Sequence, residues 1–503
     1  MQVSVLDYLE NSARRRPEKV AVQDNKTAIT YAQFLEMAKR IGSGLCKKVS
    51  PRQSVVIYTQ KKAQDLPCFM GAVYAGCYYT PIDPQMPVER VQRIIDALNP
   101  AALIYDASTE DFIDDLGVRD VSVTMEELLE SPIDQAKLDA VRAQQCQTDI
   151  LYVLFTSGST GMPKGVTISH LAVIDLAEWA GETFDLGDDL RICNSAPFYF
   201  DMSVLDIYLS LRNAGTLYLP PKTFFTFPSR ILKYINDNEI TFVNWAPSAF
   251  CNVVNCEALE LCVPKSLKYI IFIGELMSCK HYNVWKRYVP DATYVNAYGP
   301  TEAAYCCMYY ELDREFTDDD IIPLGKACTN TRIVLLDEDL KEPKQGELGE
   351  ICIMGQCLSS GYFKDPVKTA EAFIQNPLND KWEEKMYRTG DLAFINEDGD
   401  MIFAGRKDLQ IKRLGYRIEL GEIENALLSL SGIFNACCLY DQKAGDIIGV
   451  YTGNLEEEQV TEQLYEKIPN YMIPGKLIRL EEMPLNLNGK IDRPFLKKQY
   501  ITN

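Results

Sequence analysis

One loop of the chain combines hydroxyl groups, glycines and a lysine in a way that suits a polyphosphate. Residues 156–165 read Thr-Ser-Gly-Ser-Thr-Gly-Met-Pro-Lys-Gly. Glycines let the backbone turn tightly and bring its N–H groups close to an anion, and the hydroxyls add neutral donors. Lys164 adds a cation. The other residues that we predict to bind phosphate are Thr156, Ser157, Gly158, Ser159, Thr160 and Gly161.

Two other interpretations of this loop fit its sequence less well. The P-loop pattern fails because Lys164 is followed by Gly165 rather than by serine or threonine. A flexible Ser/Gly linker is the second alternative. Linkers seldom follow a buried strand directly, whereas the apolar runs 150–155 and 166–168 flank this loop. We therefore place the loop at the tip of a hairpin inside a domain.

A second candidate site is the turn at residues 296–302, which reads Asn-Ala-Tyr-Gly-Pro-Thr-Glu after a strand-like run. The Gly-Pro pair makes a turn that orients Thr301 and Glu302 the same way. The Glu302 carboxylate could hold Mg²⁺, which prefers hard oxygen ligands such as phosphates, and Tyr298 could stack on a base. The alternative is a turn that opens a helix capped by Thr301.

Two further carboxylates lie in contexts that favour binding. Asp391 ends the turn 387–391, Tyr-Arg-Thr-Gly-Asp, and suits a ribose diol; the alternative is an ordinary β-turn aspartate. Asp201 lies in the aromatic and aliphatic stretch 196–205, where an unpaired carboxylate is costly. It could pair with a substrate ammonium group, or it could cap a helix through the N–H groups of Ser203 and Val204.

Basic residues gather in two segments near the C-terminus. Residues 405–419 mix basic side chains and glycines around a single predicted strand, for which a solvated charged hairpin is the alternative. Lys490 follows a glycine in the segment 486–493, Asn-Leu-Asn-Gly-Lys-Ile-Asp-Arg. On such a turn the lysine could reach an active site as a mobile cation, or it could be an exposed surface lysine.

The composition limits the class of protein. A length of 503 residues predicts two or more domains. The chain is 47% hydrophobic and 24% charged, and its net charge of −20 argues against nucleic-acid partners and anionic membrane surfaces. We find no secretory pattern and no apolar run near the ~20 residues that a membrane span needs. We expect a cytoplasmic protein without membrane insertion.

The cysteines are expected to be reduced thiols. There are 16 of them, with no Cys-x-x-Cys pair, and disulfide frameworks are typical of small secreted chains. His170 and His281 are the only histidines, so we expect no zinc site.

A layered α/β architecture must position these residues. Apolar residues repeat at helical spacing between 88 and 98, and strand-like runs follow at 101–105, 240–243 and 269–273. Such alternation predicts largely parallel sheets. From residue 346 short strands with Gly/Asp turns predict antiparallel structure.

We therefore predict an α/β fold with two domains. The large N-terminal domain, residues 1–407, combines layered sheets and helices with a β subdomain. The small, mobile C-terminal domain, residues 408–503, is α+β, with helices near 421–430 and 456–467 on grounds of periodicity.

Taken together and in this order, the segments resemble those of the adenylate-forming superfamily of acyl-CoA synthetases, luciferases and nonribosomal-peptide adenylation domains. The resemblance runs from residues 29–34 to Lys490. It is closest to amino-acid-activating members. Among these, the freestanding D-alanine–carrier-protein ligases are most similar in length and in the segments 200–208 and 272–275.

The resemblance implies two half-reactions that use ATP and Mg²⁺. A substrate carboxylate attacks the α-phosphate of ATP, which gives an acyl-adenylate and pyrophosphate. The phosphopantetheine thiol of a carrier protein then attacks the adenylate. The resemblance further implies that the 156–164 loop holds the β- and γ-phosphates, that Thr301 contacts the α-phosphate, that Glu302 binds the metal, and that Lys490 bridges the carboxylate and the α-phosphate.

The remaining nucleotide-binding roles also come from the resemblance. Tyr298 is expected to stack on adenine, Asp391 to bind the ribose hydroxyls with Arg406 nearby, and Asn296 to belong to the same set. Asp408 matches the hinge at which the C-terminal domain rotates, a motion that would withdraw Lys490 and bring the face around Gly415 to the site.

Asp201 matches the carboxylate that pairs with the substrate α-amino group in amino-acid-specific members. The other matched pocket positions are Phe200, Met202, Leu205, Asn244, Ile271, Ile273, Gly274, Ala297, Tyr305 and Cys306. This mostly apolar lining favours a small or medium neutral side chain. The D-alanine ligases carry a cysteine in place of Ile273 and a smaller residue in place of Tyr305, so the choice of amino acid stays open.

The sequence therefore predicts an enzyme that activates a neutral α-amino acid and loads it onto a phosphopantetheinylated carrier protein. No carrier module is visible after Lys490, so we expect the carrier to act in trans. A D-alanine–carrier-protein ligase for cell-wall teichoic acid is the more specific alternative. The others are an acyl-CoA ligase for a non-amino-acid carboxylate and a noncatalytic regulator that keeps the fold.

Overall fold

The computed structural model describes residues 2–157, 162–407, 409–485 and 491–501. Its contacts divide the chain into two compact units. The first unit comprises Met1–Asp83, Asn99–Leu154 and Gly165–Lys407. The second comprises Pro84–Leu98, Phe155–Lys164 and Asp408–Asn503.

Among the described residues, the strands up to residue 407 form three sheets. In chain order they are β1 (Val20–Gln23), β2 (Ala28–Thr30), β3 (Ser54–Tyr58), β4 (Tyr78–Ile82), β5 (Ala102–Tyr105), β6 (Ser122–Thr124), β7 (Ile150–Thr156), β8 (Lys164–Ser169), β9 (Arg191–Asn194), β10 (Thr216–Tyr218), β11 (Phe242–Trp245), β12 (Tyr269–Ile273), β13 (Thr293–Tyr298), β14 (Met308–Glu311), β15 (Lys326–Ala327), β16 (Thr331–Leu336), β17 (Gly349–Gly355), β18 (Gly361–Tyr362), β19 (Phe373–Gln375), β20 (Lys385–Ile395) and β21 (Met401–Arg406).

Helices alternate with these strands along the chain. In chain order they are α1 (Leu6–Arg15), α2 (Tyr31–Leu45), α3 (Asp65–Tyr74), α4 (Val88–Leu98), α5 (Met125–Leu129), α6 (Gln135–Arg142), α7 (His170–Thr183), α8 (Met202–Arg212), α9 (Thr223–Thr226), α10 (Pro228–Asp237), α11 (Pro247–Asn255), α12 (Ala258–Leu261), α13 (Cys279–Tyr288) and α14 (Pro366–Ala372). Local signals set several starts. Thr30 and Gln33 form a capping box on α2, and proline begins α10, α11 and α14.

Two of the sheets are largely parallel, as the alternating pattern predicts. Within the described residues, one sheet has nine strands in the order β15-β14-β13-β12-β11-β9-β10-β1-β2, and its central pairs from β13 to β1 are parallel. The other has seven in the order β18-β8-β7-β4-β3-β5-β6. Here β7 and β8 are neighbours, which agrees with a hairpin around the 156–165 loop. Strands β16, β17, β19, β20 and β21 pair antiparallel, as expected for this region.

The nine-stranded sheet separates two hydrophobic clusters. On β11, Phe242 belongs to one cluster, whereas Val243 and Trp245 belong to the other. Because successive side chains of a strand point to opposite faces, the register decides which residues face α8. Across β9, β11 and β12 the register aligns Asn194, Asn244 and Ile271, so this row shares one face.

The second unit has its own core. After residue 409 the elements are β22 (Gln410–Arg413), β23 (Tyr416–Glu419), α15 (Leu420–Leu428), β24 (Ile433–Asp441), β25 (Asp446–Gly453), α16 (Glu457–Tyr465), β26 (Lys476–Leu480) and α17 (Arg493–Tyr500). Strands β24, β25 and β26 form a sheet with hydrophobic clusters that draw on alternate residues, Cys438 in one and Cys437 in the other. The predicted α+β character and both predicted helices are confirmed.

Two local predictions need correction. Residues 405–419 do not contain a single strand: β21 ends at Arg406, and β22 and β23 form a hairpin. Leu414 and Gly415 both have positive φ, which suits a two-residue turn but is rare for leucine, so the sequence signal was weak. The strand predicted at 240–243 begins at Phe242, because the Ile240 N–H bonds to the Ile235 carbonyl and closes α10.

The prediction of reduced cysteines agrees with the structure. All 16 cysteines are free thiols. Among the residues that the structure describes, no helix is long and apolar enough to cross a lipid bilayer. In the same residues, no group of three or more histidine, cysteine or acidic side chains is arranged to hold a metal ion. The acidic segment 313–320 joins β14 to β15 and is mostly exposed.

Candidate active site

The centre of the candidate site is the turn between β13 and β14. Only glycine fits at Gly299, because an added Cβ would lie 2.4 Å from the Tyr305 carbonyl oxygen. Ala304 and Tyr305 both have positive φ, at 51° and 85°. Such backbone is costly for residues with side chains, and it is found where the surroundings impose it. The turn therefore holds Thr301, Glu302 and Tyr305 in fixed positions.

Thr301 and Asp201 are brought into direct contact by this turn. The Thr301 hydroxyl donates to the Asp201 carboxylate over 2.5 Å. Neither residue fills the helix-capping role that the sequence left open. Asp201 precedes α8, but its side chain makes no capping hydrogen bond. Thr301 is the first residue of a short 3₁₀ turn, Thr301–Ala303, and the capping position is occupied by Pro300. The polar groups of both residues thus face each other within the first unit.

Glu302 is fully buried beside the same turn. Its Oε1 accepts from the Tyr362 hydroxyl over 2.8 Å, and its backbone carbonyl accepts from the Ser359 N–H. A buried carboxylate is stable only with partners or a cation nearby. Mg²⁺ bound with nucleotide takes one or two carboxylates plus phosphate oxygens, so a single carboxylate of this kind fits that ion without a cluster of acidic residues.

Asp391 joins three strands of the first unit. Its Oδ2 accepts from the Tyr298 hydroxyl over 2.5 Å, and its Oδ1 accepts from Arg406. Arg406 also donates to the Thr389 carbonyl over 3.2 Å. Burial, and then the nearby Asp391 charge, raise the pKa of Tyr298 well above its usual value, so its hydroxyl stays protonated and acts as the donor. Asn296 lies on the same strand and donates to the Pro323 carbonyl over 2.7 Å.

The apolar pocket positions all belong to the large hydrophobic core of the first unit or pack against it. The members that belong to its buried core are Met202, Leu205, Ile271, Ile273, Ala297, Tyr305 and Cys306, and Phe200 packs against it half-buried. They come from α8, from β12 and β13, and from the turn after β13. Gly274 follows β12 with φ +98°, a conformation that favours glycine.

The polar pocket residues are tied to a buried network. The Tyr305 hydroxyl donates to Asn244 Oδ1 over 2.5 Å. Asn244 Nδ2 donates to Asp206 Oδ1 and to the Met202 carbonyl, each over 3.2 Å. Asp206 Oδ2 accepts from Asn194 Nδ2 over 2.8 Å. Burial raises the pKa of the Tyr305 phenol well above its usual value, which keeps it a donor.

The sequence prediction missed Asp206 and its neighbours. Asp206 is fully buried on α8, and burial raises its pKa to about 7 although the amide hydrogen bonds and Lys61 oppose the shift. Lys61 donates to the backbone carbonyls of Asn194 and Ala196, and burial lowers its pKa to about 8. A signal existed, because Asp206 interrupts an apolar helix in the same way that Asp201 interrupts an aromatic stretch.

The described part of the phosphate loop lies in the second unit. The Ser157 hydroxyl donates to the Arg417 carbonyl over 2.8 Å and accepts from the Glu419 N–H over 3.2 Å. Lys164 Nζ lies 3.8 Å from Glu419 Oε1. The Thr156 Oγ1 atom is buried without a hydrogen-bond partner among the described residues. An orphaned hydroxyl at this place fits a loop that binds an anion.

Several predicted residues lie outside the described residues. In the phosphate loop these are Gly158, Ser159, Thr160 and Gly161, and in the C-terminal region they are Asp408 and Lys490.

Comparison with known proteins places the chain in a family. The family model for AMP-binding enzymes matches residues 9–363. The chain is 31% identical over 516 residues to a D-alanine–D-alanyl carrier protein ligase from Listeria monocytogenes, covering 99% of both chains. It is 31% identical over 505 residues to tyrocidine synthase 1 from Brevibacillus parabrevis, covering 99% of this chain. The chain spans only 45% of the length of that synthase.

Solved structures show the same fold. The amide bond synthetase McbA from Marinactinospora thermotolerans superimposes with a TM-score of 0.87 at 19% identity, covering 99% of this chain and 100% of that chain. A holo NRPS protein containing adenylation and PCP domains superimposes with a TM-score of 0.83 at 24% identity, covering 100% of this chain and 85% of that chain. The predicted mixed α/β fold is confirmed. The matched family model and the relatives of similar length establish that this chain belongs to the family of AMP-binding, adenylate-forming enzymes.

Proposed function

We propose that this enzyme activates a neutral α-amino acid with ATP and transfers it to the phosphopantetheine thiol of a separate carrier protein. The observation that carries this proposal is the 2.5 Å contact between Thr301 and Asp201. Thr301 is the residue predicted to contact the α-phosphate, and Asp201 is the residue predicted to pair with the substrate ammonium group. Both belong to the first unit. The substrate carboxylate lies one carbon from its α-amino group, so an ammonium at Asp201 leaves the carboxylate near Thr301.

The proposed roles follow from these positions. Asp201 pairs with the substrate ammonium, and Thr301 donates to the α-phosphate. Asp391 and Arg406 orient the ribose, while Tyr298 lies against adenine. Fixing both reactants in this way lowers the entropic part of the barrier.

Glu302 would hold Mg²⁺ through its carboxylate, which also accepts the hydrogen bond from Tyr362. The ion, when bound, neutralises charge on the phosphates during displacement. We propose that Ser157 and Lys164 bind the leaving pyrophosphate, and that Lys490 stabilises the charge that builds between carboxylate and α-phosphate. Asp408 is proposed as the hinge between residues 1–407 and 408–503.

Two comparisons support the carrier-dependent second step. A D-alanine–D-alanyl carrier protein ligase matches along 99% of both chains, and an NRPS protein containing adenylation and PCP domains shares the fold. Both are named for carrier proteins or carrier domains. An acyl-CoA ligase acting on a non-amino-acid carboxylate is the competing function, because it would use the same nucleotide site without Asp201.

The test is the amino-acid dependence of ATP–pyrophosphate exchange in wild type and Asp201→Ala. Each amino acid is assayed in both enantiomers, and a panel of carboxylic acids without an amino group is assayed in parallel. We expect exchange with at least one neutral amino acid and a loss of ~10²-fold in Asp201→Ala, since a charged hydrogen-bonded pair is worth roughly 3 kcal/mol.

The control is Asp237→Ala, which removes an exposed carboxylate that pairs with Lys233 one helical turn away. It should leave exchange unchanged. Exchange that depends on acids lacking an amino group, and that is equal in wild type and Asp201→Ala, would establish the competing acyl-CoA ligase instead.

A further inference from the structure

We propose that Asp206 is a positioning residue that determines amino-acid selectivity through Asn244 and Tyr305. This inference rests on the proposed function and concerns the wall of its substrate pocket. Asp206 belongs to none of the predicted site positions. It reaches the pocket through Asn244, and it decides which way the Asn244 amide faces.

The orientation follows from the number of donors and acceptors. An ionised carboxylate only accepts hydrogen bonds. Both Asp206 oxygens receive amide N–H groups, one from Asn194 and one from Asn244. The Met202 carbonyl, which can only accept, also receives a hydrogen bond from Asn244 Nδ2. The amide nitrogen of Asn244 therefore faces Asp206 and Met202, which leaves its oxygen to face Tyr305. That oxygen accepts from the Tyr305 hydroxyl over 2.5 Å.

The consequence for the pocket is a fixed apolar wall. The Tyr305 hydroxyl is bound to Asn244, and the backbone of Tyr305 is held at φ +85° against Gly299. Neither the phenol donor nor the amide oxygen is offered to a substrate side chain. A polar substrate side chain would meet groups already paired with each other, and a long one would have to displace the ring. The network thus favours a short apolar side chain.

Lys61 makes a carboxylate possible at this depth. It donates to the carbonyls of Asn194 and Ala196 over 3.2 and 2.8 Å, so a cation lies beside the residue that binds Asp206. Without a nearby cation a carboxyl group at this depth would stay neutral to a higher pH and would offer a donor of its own. The arrangement is maintained by β9, β11 and α8, because the register aligns Asn194 with Asn244.

The test is a double-mutant cycle on selectivity. Wild type, Asp206→Asn, Tyr305→Phe and the double variant are assayed by ATP–pyrophosphate exchange with glycine, alanine, 2-aminobutyrate, valine, leucine and serine. We expect Asp206→Asn to weaken the preference for short apolar side chains. The ratio of kcat/KM for short apolar substrates to kcat/KM for longer or polar ones should fall by ~10-fold. Tyr305→Phe should shift it in the same direction, and the double variant should shift it no further than the larger single effect.

The control is Ser210→Ala, which removes a buried hydroxyl on α8 that donates to the Ile207 carbonyl in the same helix. It should leave the ratio unchanged even if the melting temperature falls. If Asp206→Asn is recovered only as aggregate, Asn194→Ala provides the test, because it releases the second oxygen of the same carboxylate. We expect a shift of ~3-fold in the same direction from Asn194→Ala.

Two results would overturn the inference while leaving the proposed function intact. They are an unchanged selectivity ratio in folded Asp206→Asn or Asn194→Ala, and effects of Asp206→Asn and Tyr305→Phe that multiply. A wild-type enzyme that exchanges pyrophosphate with no amino acid would instead overturn the proposed function, and this inference with it.

Discussion

Asp391 and Asp206 are both almost completely buried carboxylates of the first unit, at 2% and 0% exposure, yet their partners differ. Asp391 contacts the guanidinium of Arg406 and the hydroxyl of Tyr298. Asp206 accepts hydrogen bonds from two neutral amides, with Lys61 one residue further away. Direct contact with a cation suits a carboxylate that must stay charged, whereas neutral partners suit one that orients its neighbours.

The difference shows that the surroundings of a buried aspartate determine its role. Asp391 lies where a ligand with hydroxyl groups can be received by charge-assisted hydrogen bonds. Asp206 lies one layer behind the predicted pocket, where burial raises its pKa to about 7. If the comparison is right, changes at Asp391 alter nucleotide use, and changes at Asp206 alter selectivity and pH-dependent stability.

The largest effect is expected from Asp391→Ala. The exchange rate at low ATP should fall by ~10²-fold or more, because hydrogen bonds to a charged group contribute about 1.5–3 kcal/mol each. The melting temperature should also fall, since the Arg406 side chain is only 11% exposed, and a largely buried cation without its carboxylate costs up to about 3–5 kcal/mol. The double variant Asp391→Ala/Arg406→Met should recover the melting temperature but not the exchange rate. Recovery of both would show that Asp391 serves only the fold.

The second prediction concerns the pH dependence of stability in Asp206→Asn. The folded pKa of Asp206 is about 7, above its usual 3.8, so the folded state binds a proton that the unfolded state releases between these values. The contribution of Asp206 to the free energy of unfolding is therefore full below pH 4 and declines as the pH rises to 7. The groups that face this carboxylate are Lys61, Asn194 and Asn244.

Asparagine does not titrate. The melting temperature of Asp206→Asn minus that of wild type should therefore rise by about 3 °C between pH 5 and pH 8. Differential scanning calorimetry of both proteins at each pH measures the difference, and titrations of other groups cancel. Ser210→Ala should show an offset that does not vary with pH. A constant offset in Asp206→Asn as well would contradict the assignment of the titration to Asp206.

The smallest effect separates the two tyrosines. Tyr298→Phe removes one hydrogen bond to Asp391, and the KM for ATP should rise by about 5-fold, or roughly 1 kcal/mol, with amino-acid selectivity unchanged. Tyr305→Phe should leave the KM for ATP unchanged and alter the selectivity. Steady-state exchange kinetics with ATP and amino acid varied in turn measure both. The same pattern from both variants would remove the distinction between the two carboxylate regions.

Much of the fold could be predicted because local signals agreed with it. Helix α4 and strand β12 lie where periodicity placed them, and the antiparallel region after residue 346 was visible in its turns. The hairpin of β22 and β23 was only the alternative to a single strand in the sequence analysis, because Leu414 takes a positive φ that few leucines adopt. The strand at 240–243 was placed two residues early, since the closure of α10 uses Ile240.

The candidate site was partly visible in the same way. Asp201, Thr301, Glu302 and Asp391 occur at turns whose residue types already suggested binding. Asp206 was not singled out, although it is as unusual in its helix as Asp201 is in its aromatic stretch. Its meaning depends on Asn194 and Asn244, which come from strands far apart in the chain and become neighbours only through the sheet register.

The sequence by itself determined the types of chemistry and the class of fold. Glycines, hydroxyls and carboxylates that are close together in the sequence predict anion and cation binding, because residues of one turn are close in space whatever the rest of the fold. The tertiary structure alone decided which side chains meet: Thr301 with Asp201, Tyr298 with Asp391, and Tyr305 with Asn244. These pairs are separated by 61 to 100 residues, and only the tertiary packing of β11, β20, α8 and the turn after β13 brings them within hydrogen-bond distance.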